Sequence, residues 1–159
     1  MEGTGHHGRG CPVNGSVFVD TSVLVRLFDD DEPDRQAAAR AVIGVVPGED
    51  AGPALVLSAQ VLAEFTDVAT TRLVRPLPMV TARRALADLA ELHVVPFDAD
   101  LVLAAADTAG EHDLSIRDAL VVEAAASSGC SRLLTEAIPH GTMVRGVAVE
   151  DPVHPDSTP

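Results

Sequence analysis

The chain has 159 residues, 47% hydrophobic and 22% charged, with a formal net charge of −13. That size and apolar content exclude a disordered chain and one too small to bury a core without disulfides or a structural metal. The charge counts against a broadly basic nucleic-acid-binding surface, since such binding rests on cations facing phosphates.

Residues 1–15 are rich in Gly, carry His6 and His7, and read as a flexible tail. Ser16–Asp20 (SVFVD) is a buried strand that stops at an acid, and Ser22 is placed to cap a helix over VLVRLFDD. A second helix begins near Pro33, where proline suits the first turn, and runs to about Val46. PGEDAGP (47–53) is a loop. ALVLS (54–58) is a second strand, and Ser58 caps the helix AQVLAEFTDVATTRL. Pro76 and Pro78 break the chain before a helix over Met79–Leu92. HVVPF (93–97) is a third strand, followed by an Ala-rich helix capped by Asp98. Ser115 caps the helix IRDALVVEAAASS, which Gly129 ends. SRLLT (131–135) is a fourth strand and GVAVE (146–150) a possible fifth. Residues 151–159, with three prolines, read as a loose tail.

One domain over residues 16–150 follows, without internal repeats. Strands alternating with helices argue for an α/β fold with a central parallel sheet of four to five strands and helices on both faces. The two cysteines, Cys11 and Cys130, have neither metal-ligand spacing nor a disulfide framework. The N-terminal segment has no apolar run, so no signal peptide is expected, and no stretch is long and uncharged enough to span a bilayer. A cytoplasmic protein without membrane association is the expectation.

In open parallel sheets, ligands bind beyond the carboxyl ends of the strands. Polar residues there are acidic. Asp20 ends the first strand, and Glu64 lies on the helix after the second. Asp118 is in the first turn of the helix before the fourth, and Glu136 follows that strand. Each has an ordinary reading: a helix cap for Asp20, a boundary residue for Glu64, a capping-box acid for Asp118, a loop residue for Glu136. Taken together they cluster at one edge of one sheet. Carboxylates that close raise each other's pKa, and a hard divalent cation such as Mg²⁺ or Mn²⁺ removes the conflict. Such an ion can activate water and stabilise charge on a phosphodiester. Glu123, five residues beyond Asp118, points to the other side and is read as solvated.

The runs VFVDTSVLVRLF, LSAQVLAEFTDVATTR and LSIRDALVVEAAASSGCSRLLTE resemble the PIN-domain family, most closely the VapC-type toxins of bacterial toxin–antitoxin modules. The resemblance covers about residues 16–150. It implies a PIN-like three-layer fold and a metal-dependent endoribonuclease using Mg²⁺ or Mn²⁺. It further implies a cognate VapB-like antitoxin and a homodimer, and it carries metal-site roles onto Asp20, Glu64 and Asp118. Three positions depart from the family pattern. The Asp usual after Thr-Glu is Ala137, so either Glu136 substitutes as the fourth catalytic acid or the site runs on three acids. The aromatic residue common before Asp118 is Arg117, and the usual N-P-F is Asp151-Pro152-Val153.

Arg72, Arg75, Arg83 and Arg84 form the dense positive stretch. Arg72 and Arg75 are candidate RNA contacts, and a solvated face paired with Asp88 or Glu91 is their ordinary reading. Arg117, beside Asp118, is read either as a contact to the scissile phosphate or as the partner of a site carboxylate. His93, His112 and His140 are read as surface or boundary residues. Two other enzymes with an Asp at a strand end fit poorly. A HAD-type phosphatase needs a second acid where Ser22 stands, and a response-regulator receiver needs a Lys, which the chain lacks. A PIN-like module that pairs with an antitoxin but cuts weakly or not at all is the alternative to an active nuclease. A Mn²⁺ titration separates the two.

Overall fold

Val17, Phe18 and Val19 are all buried, as a central strand covered on both faces requires. A computed structural model describes residues 15–43 and 53–157. The expectations for residues 1–14, for the end of the second helix and its loop (44–52), and for 158–159 lie outside the described residues. In chain order the elements are β1 (Val17–Val19), α1 (Thr21–Leu24) running into a 3-10 turn (Val25–Phe28), and α2 (Pro33–Ile43). Next come β2 (Leu55–Ser58), α3 (Ala59–Thr71), α4 (Met79–Leu89), β3 (His93–Val95) and α5 (Ala99–His112). The chain closes with α6 (Ile116–Ser127), β4 (Arg132–Leu134), β5 (Met143–Val144) and β6 (Val147–Glu150).

The strands form one sheet in the order β3-β2-β1-β4-β6-β5. All pairs are parallel except β5–β6, a short antiparallel hairpin at one edge. Among the described residues the sheet therefore has six strands, one more than the largest expectation. β5 is only two residues long, too short for an alternating pattern to reveal it. The fold is the expected α/β architecture with a mostly parallel sheet. From β1 the chain first winds outward through β2 and β3, then returns to the other side of β1 at β4. The strand order reverses between β1 and β4, the kind of switch point at which open sheets bind ligands beyond the strands' carboxyl ends.

Three caps act as read from the sequence. Ser58 accepts the Val61 N–H, Asp98 the Leu101 N–H, and Ser115 the Asp118 N–H. The first helix differs: its cap is Asp20, not Ser22. Ser22 is inside the helix, and its hydroxyl turns back to donate to Asp20. Glu123 also differs from the solvated reading. It is buried, accepts from the Thr108 hydroxyl, and pairs with Arg145 at 2.9 Å. The close packing of α5 on α6 covers it, which no local pattern reveals. Beyond β6 the chain folds back: His154 stacks on His140, and the Asp151 N–H donates to His140 Nδ1.

With few aromatics, the core is aliphatic except for Phe18 and Phe65, both fully buried. Phe65 projects from α3 against Phe28, ring centroids 5.5 Å apart, and so ties the Glu64 helix to the segment following Asp20. Phe65→Ala should cost about 3–5 kcal/mol of stability, measured by urea unfolding, through the cavity it leaves. Phe97→Ala, at a position half exposed, should stay within about 0.5 kcal/mol.

Candidate active site

The backbone of Asp20 is fixed by the sheet itself: its N–H donates to Leu134 O at 2.9 Å, the last hydrogen bond between the β1 and β4 ends. Its side chain is buried at 1% exposure. Three donors hold it. The Thr21 N–H reaches Oδ1 at 2.7 Å, while the hydroxyls of Thr135 and Ser22 reach Oδ2 at 2.8 and 3.0 Å. Burial raises the Asp20 pKa above its ordinary value, and these donors together with Arg117 pull it only part of the way back.

Glu64 stands on α3 one turn beyond Gln60, whose amide donates to Glu64 Oε1 at 2.9 Å. The Thr21 hydroxyl donates to Glu64 Oε2 at 3.2 Å, so Thr21 touches both the Asp20 and Glu64 carboxylates through consecutive groups. Asp118 enters from the first turn of α6. One side chain joins all three acids. The Arg117 Nη2 is 2.6 Å from Glu64 Oε2 and 3.9 Å from Asp20 Oδ1, and its Nη1 is 3.5 Å from Asp118 Oδ1. Burial works against the Arg117 charge, but Glu64, Asp20 and Asp118 outweigh it and raise the guanidinium's pKa.

Glu136 does not join this group. Its carboxylate is gripped by Arg26, with Nε 3.1 Å from Oε1 and Nη2 2.9 Å from Oε2, and by Arg35 Nη1 at 3.0 Å. Arg26 also pairs with Asp29 at 2.9 Å. The Glu136 N–H donates to Ser22 Oγ at 3.0 Å, so this residue supports the site through its backbone while its acid faces two cations. Ala137, at the position of the usual fourth acid, is exposed.

Among the arginines, Arg72 pairs with Asp67 at 3.2 Å and Arg75 with Asp31 at 3.1 Å, rather than with Asp88 or Glu91. A groove of about 520 Å³ opens beside the acids, lined by Thr21, Ser22, Arg26, Arg72 and Arg117 among others. A second, of about 470 Å³, meets Glu64, Arg72 and Arg117. Arg72 and Arg117 thus border both, whereas Arg75 lines neither. Arg26 and the hydroxyls of Thr21, Ser22 and Thr135 were not singled out from the sequence. The hydroxyls had a signal in the residues adjoining Asp20 and Glu136; Arg26, six residues beyond Asp20 in an apolar run, had none. A further cavity of about 440 Å³ lies apart from the acids, along β3 and lined by Leu101, Glu123 and Ser128.

The donor set of Asp20, Glu64 and Asp118 is all oxygen and formally triply negative, which fits a hard divalent cation. In the present arrangement no group of three or more His, Cys, Asp or Glu among the described residues is poised to hold a metal. Arg117 lies between the carboxylates instead.

Because the raised Asp20 pKa means that the folded state holds this proton more tightly, ionisation costs stability as pH rises from the ordinary carboxylate range through the folded pKa. Asp20→Asn removes that cost. Its amide can keep the Thr21 N–H on oxygen and turn nitrogen toward the two hydroxyls. The variant should therefore melt above the parent at pH 7 without metal, and the gap should close as pH falls toward 4, by calorimetry.

The PIN domain family model matches residues 17–136. No curated protein matches the chain. Among solved structures, the chain resembles Mycobacterium tuberculosis VapC20, described as a sarcin-ricin loop cleaving toxin, at 24% identity. That match has a TM-score of 0.58 over 74% of this chain and 86% of the other. It also resembles a toxin–antitoxin complex from Klebsiella pneumoniae, at 18% identity and TM-score 0.62 over 86% and 97% of the two chains. A third is VapBC2 of Rickettsia felis bound to a promoter DNA fragment, at 15% identity and TM-score 0.57 over 85% and 97%. These likenesses show the fold, and the family model extends over all of the acids described above: the chain belongs to the PIN domain family.

Proposed function

We propose that the protein is a divalent-metal-dependent endoribonuclease and the toxin of a VapBC-like pair. The observation that carries this reading is the convergence of Asp20, Glu64 and Asp118 at the reversal of strand order, joined by a single cation. Family membership and the similarity to toxin structures support it.

Asp20, Glu64 and Asp118 would hold the metal, Mg²⁺ or Mn²⁺. When bound, such an ion supplies positive charge to a phosphodiester's transition state and lowers the pKa of water. The protein's own groups do the rest. Thr135 and Ser22 keep Asp20 aimed, and Thr21 sets the spacing between Asp20 and Glu64. Arg26 and Arg72, on the groove wall, suit the RNA backbone, with Arg26 held in place by Glu136 and Asp29. The same groove carries Asp29, Asp31 and Glu32, and Arg26 and Arg72 are each paired with an acid, so these cations balance the groove rather than make it positive. The partners are RNA, a VapB-like antitoxin offering a basic side chain to the acids, and a second copy of the chain. The compartment is the cytoplasm; no helix among the described residues is long and apolar enough to cross a membrane.

A second reading has its own observations. Arg117 sits among the acids, Ala137 replaces the usual fourth acid, and Glu136 is taken up by Arg26 and Arg35. All three favour a PIN domain that pairs with an antitoxin and cuts weakly or not at all.

Incubation of the purified chain with total cellular RNA and Mn²⁺, followed by sequencing of the ends, separates the two. The nuclease reading expects discrete cuts that Asp20→Asn or Asp118→Asn reduces at least about 100-fold, the scale of losing a key electrostatic group. Glu136→Ala should retain more activity than Asp20→Asn. Cuts unchanged in Asp20→Asn would mean the activity is not this site's. No cuts at all, with a neighbouring gene's product copurifying, would favour the binding module. Expression alone should arrest growth, and the copurifying partner should relieve it.

A further inference from the structure

We infer that Arg117 is a built-in competitor for the metal: in the metal-free protein its guanidinium holds the three carboxylates together, and a divalent cation can enter only when Arg117 turns out into the groove. This rests on the metal-centred reading of the acids given above. It adds that the resting site is closed by the chain's own side chain.

The geometry argues for exclusion. Nη2 is 2.6 Å from Glu64 Oε2 and 3.9 Å from Asp20 Oδ1, so the guanidinium already neutralises two of the carboxylates a metal would need. An ion taking Glu64 Oε2 as a ligand would be a close neighbour of the guanidinium, whose nitrogen is 2.6 Å from the same oxygen. Like charge adds to the conflict, and the acids cannot satisfy both cations at these positions. The Arg117 to Glu64 contact is a charge-assisted hydrogen bond of 2.6 Å, which favours the closed state.

The open state is also accessible. The Arg117 side chain is 42% exposed, and the residue is the second of α6, at the mouth of both grooves. Rotation of its flexible stem carries the guanidinium from the acids into the groove with no backbone change. There it would face the space assigned to the RNA backbone. The same guanidinium thus serves the acids when the site is empty and a phosphate when it is loaded. Metal and polyanion each favour the outward state, so each should strengthen the other's binding.

The apparent metal affinity is reduced by the fraction of molecules with Arg117 outward; if that is about one in ten, the penalty is about tenfold. The test is calorimetric titration of Mn²⁺ into the full, metal-stripped chain, as the parent and as Arg117→Met. The variant should bind Mn²⁺ about tenfold more tightly. Without metal it should melt below the parent, having lost the cation that offsets the acids. Equal or weaker Mn²⁺ binding by a folded variant, with the parent binding, overturns the competitor role and leaves the metal-centred reading standing. Absence of Mn²⁺ binding in both overturns the two together. A second measurement needs no variant. Phenylglyoxal modification of Arg117 in the parent, followed by mass spectrometry, should speed up severalfold on adding Mn²⁺, and an unchanged or slower rate overturns the proposal.

Discussion

Carboxylates brought together out of water must be neutralised, and this constraint organises the carboxyl edge of the sheet. Asp20 is buried at the junction of β1 and β4, with Glu64 and Asp118 nearby. A charge in such a place is tolerated only when it is paired and hydrogen-bonded. The fold supplies both. Donors from Thr21, Ser22 and Thr135 occupy the Asp20 oxygens, and one guanidinium spans the acids. Even so, burial leaves the Asp20 pKa raised.

Rigidity follows from the same contacts. The Asp20 N–H closes the β1–β4 ladder, Thr135 leaves β4 directly opposite, and the Glu136 N–H returns to Ser22. Phe65 buries α3 beneath Glu64, so the acid's position on the helix is set by core packing. Glu136, with Arg26 and Arg35, forms a separate charge group that braces the groove wall. Asp20, directly after β1, and Glu136, two residues after β4, thereby take different partners: Asp20 groups with Glu64 and Asp118, and Glu136 binds arginines.

The alternation of strands and helices and three of the caps were legible in the sequence because each depends on neighbours within a few positions. Ser58, Asp98 and Ser115 bond groups three residues on. Asp20, Glu64 and Asp118, distant in the chain, were instead singled out from their place at the sheet's carboxyl edge and from the family resemblance. What stayed hidden depends on residues far away. The Arg26 to Glu136 pairing joins positions 110 apart, and the choice of Asp20 over Ser22 as cap is tied to Thr135, 115 residues later. Glu123 looked solvated because helix periodicity says which side a residue faces but not what covers that side; α5 and Arg145 do. Arg117 was legible both as a departure from the family pattern and as a possible partner of a site carboxylate; that Glu64, 53 residues away, is its nearest acid needed the assembled fold.

Anomalous diffraction from crystals of the chain soaked in Mn²⁺ tests the central claim most directly. The account predicts a manganese peak about 2.1–2.2 Å from oxygens of Asp20 and Asp118, with Glu64 held directly or through water and the Arg117 guanidinium turned into the groove. A site with Arg117 still seated between Glu64 and Asp20 and manganese bound elsewhere, or nowhere, would contradict it.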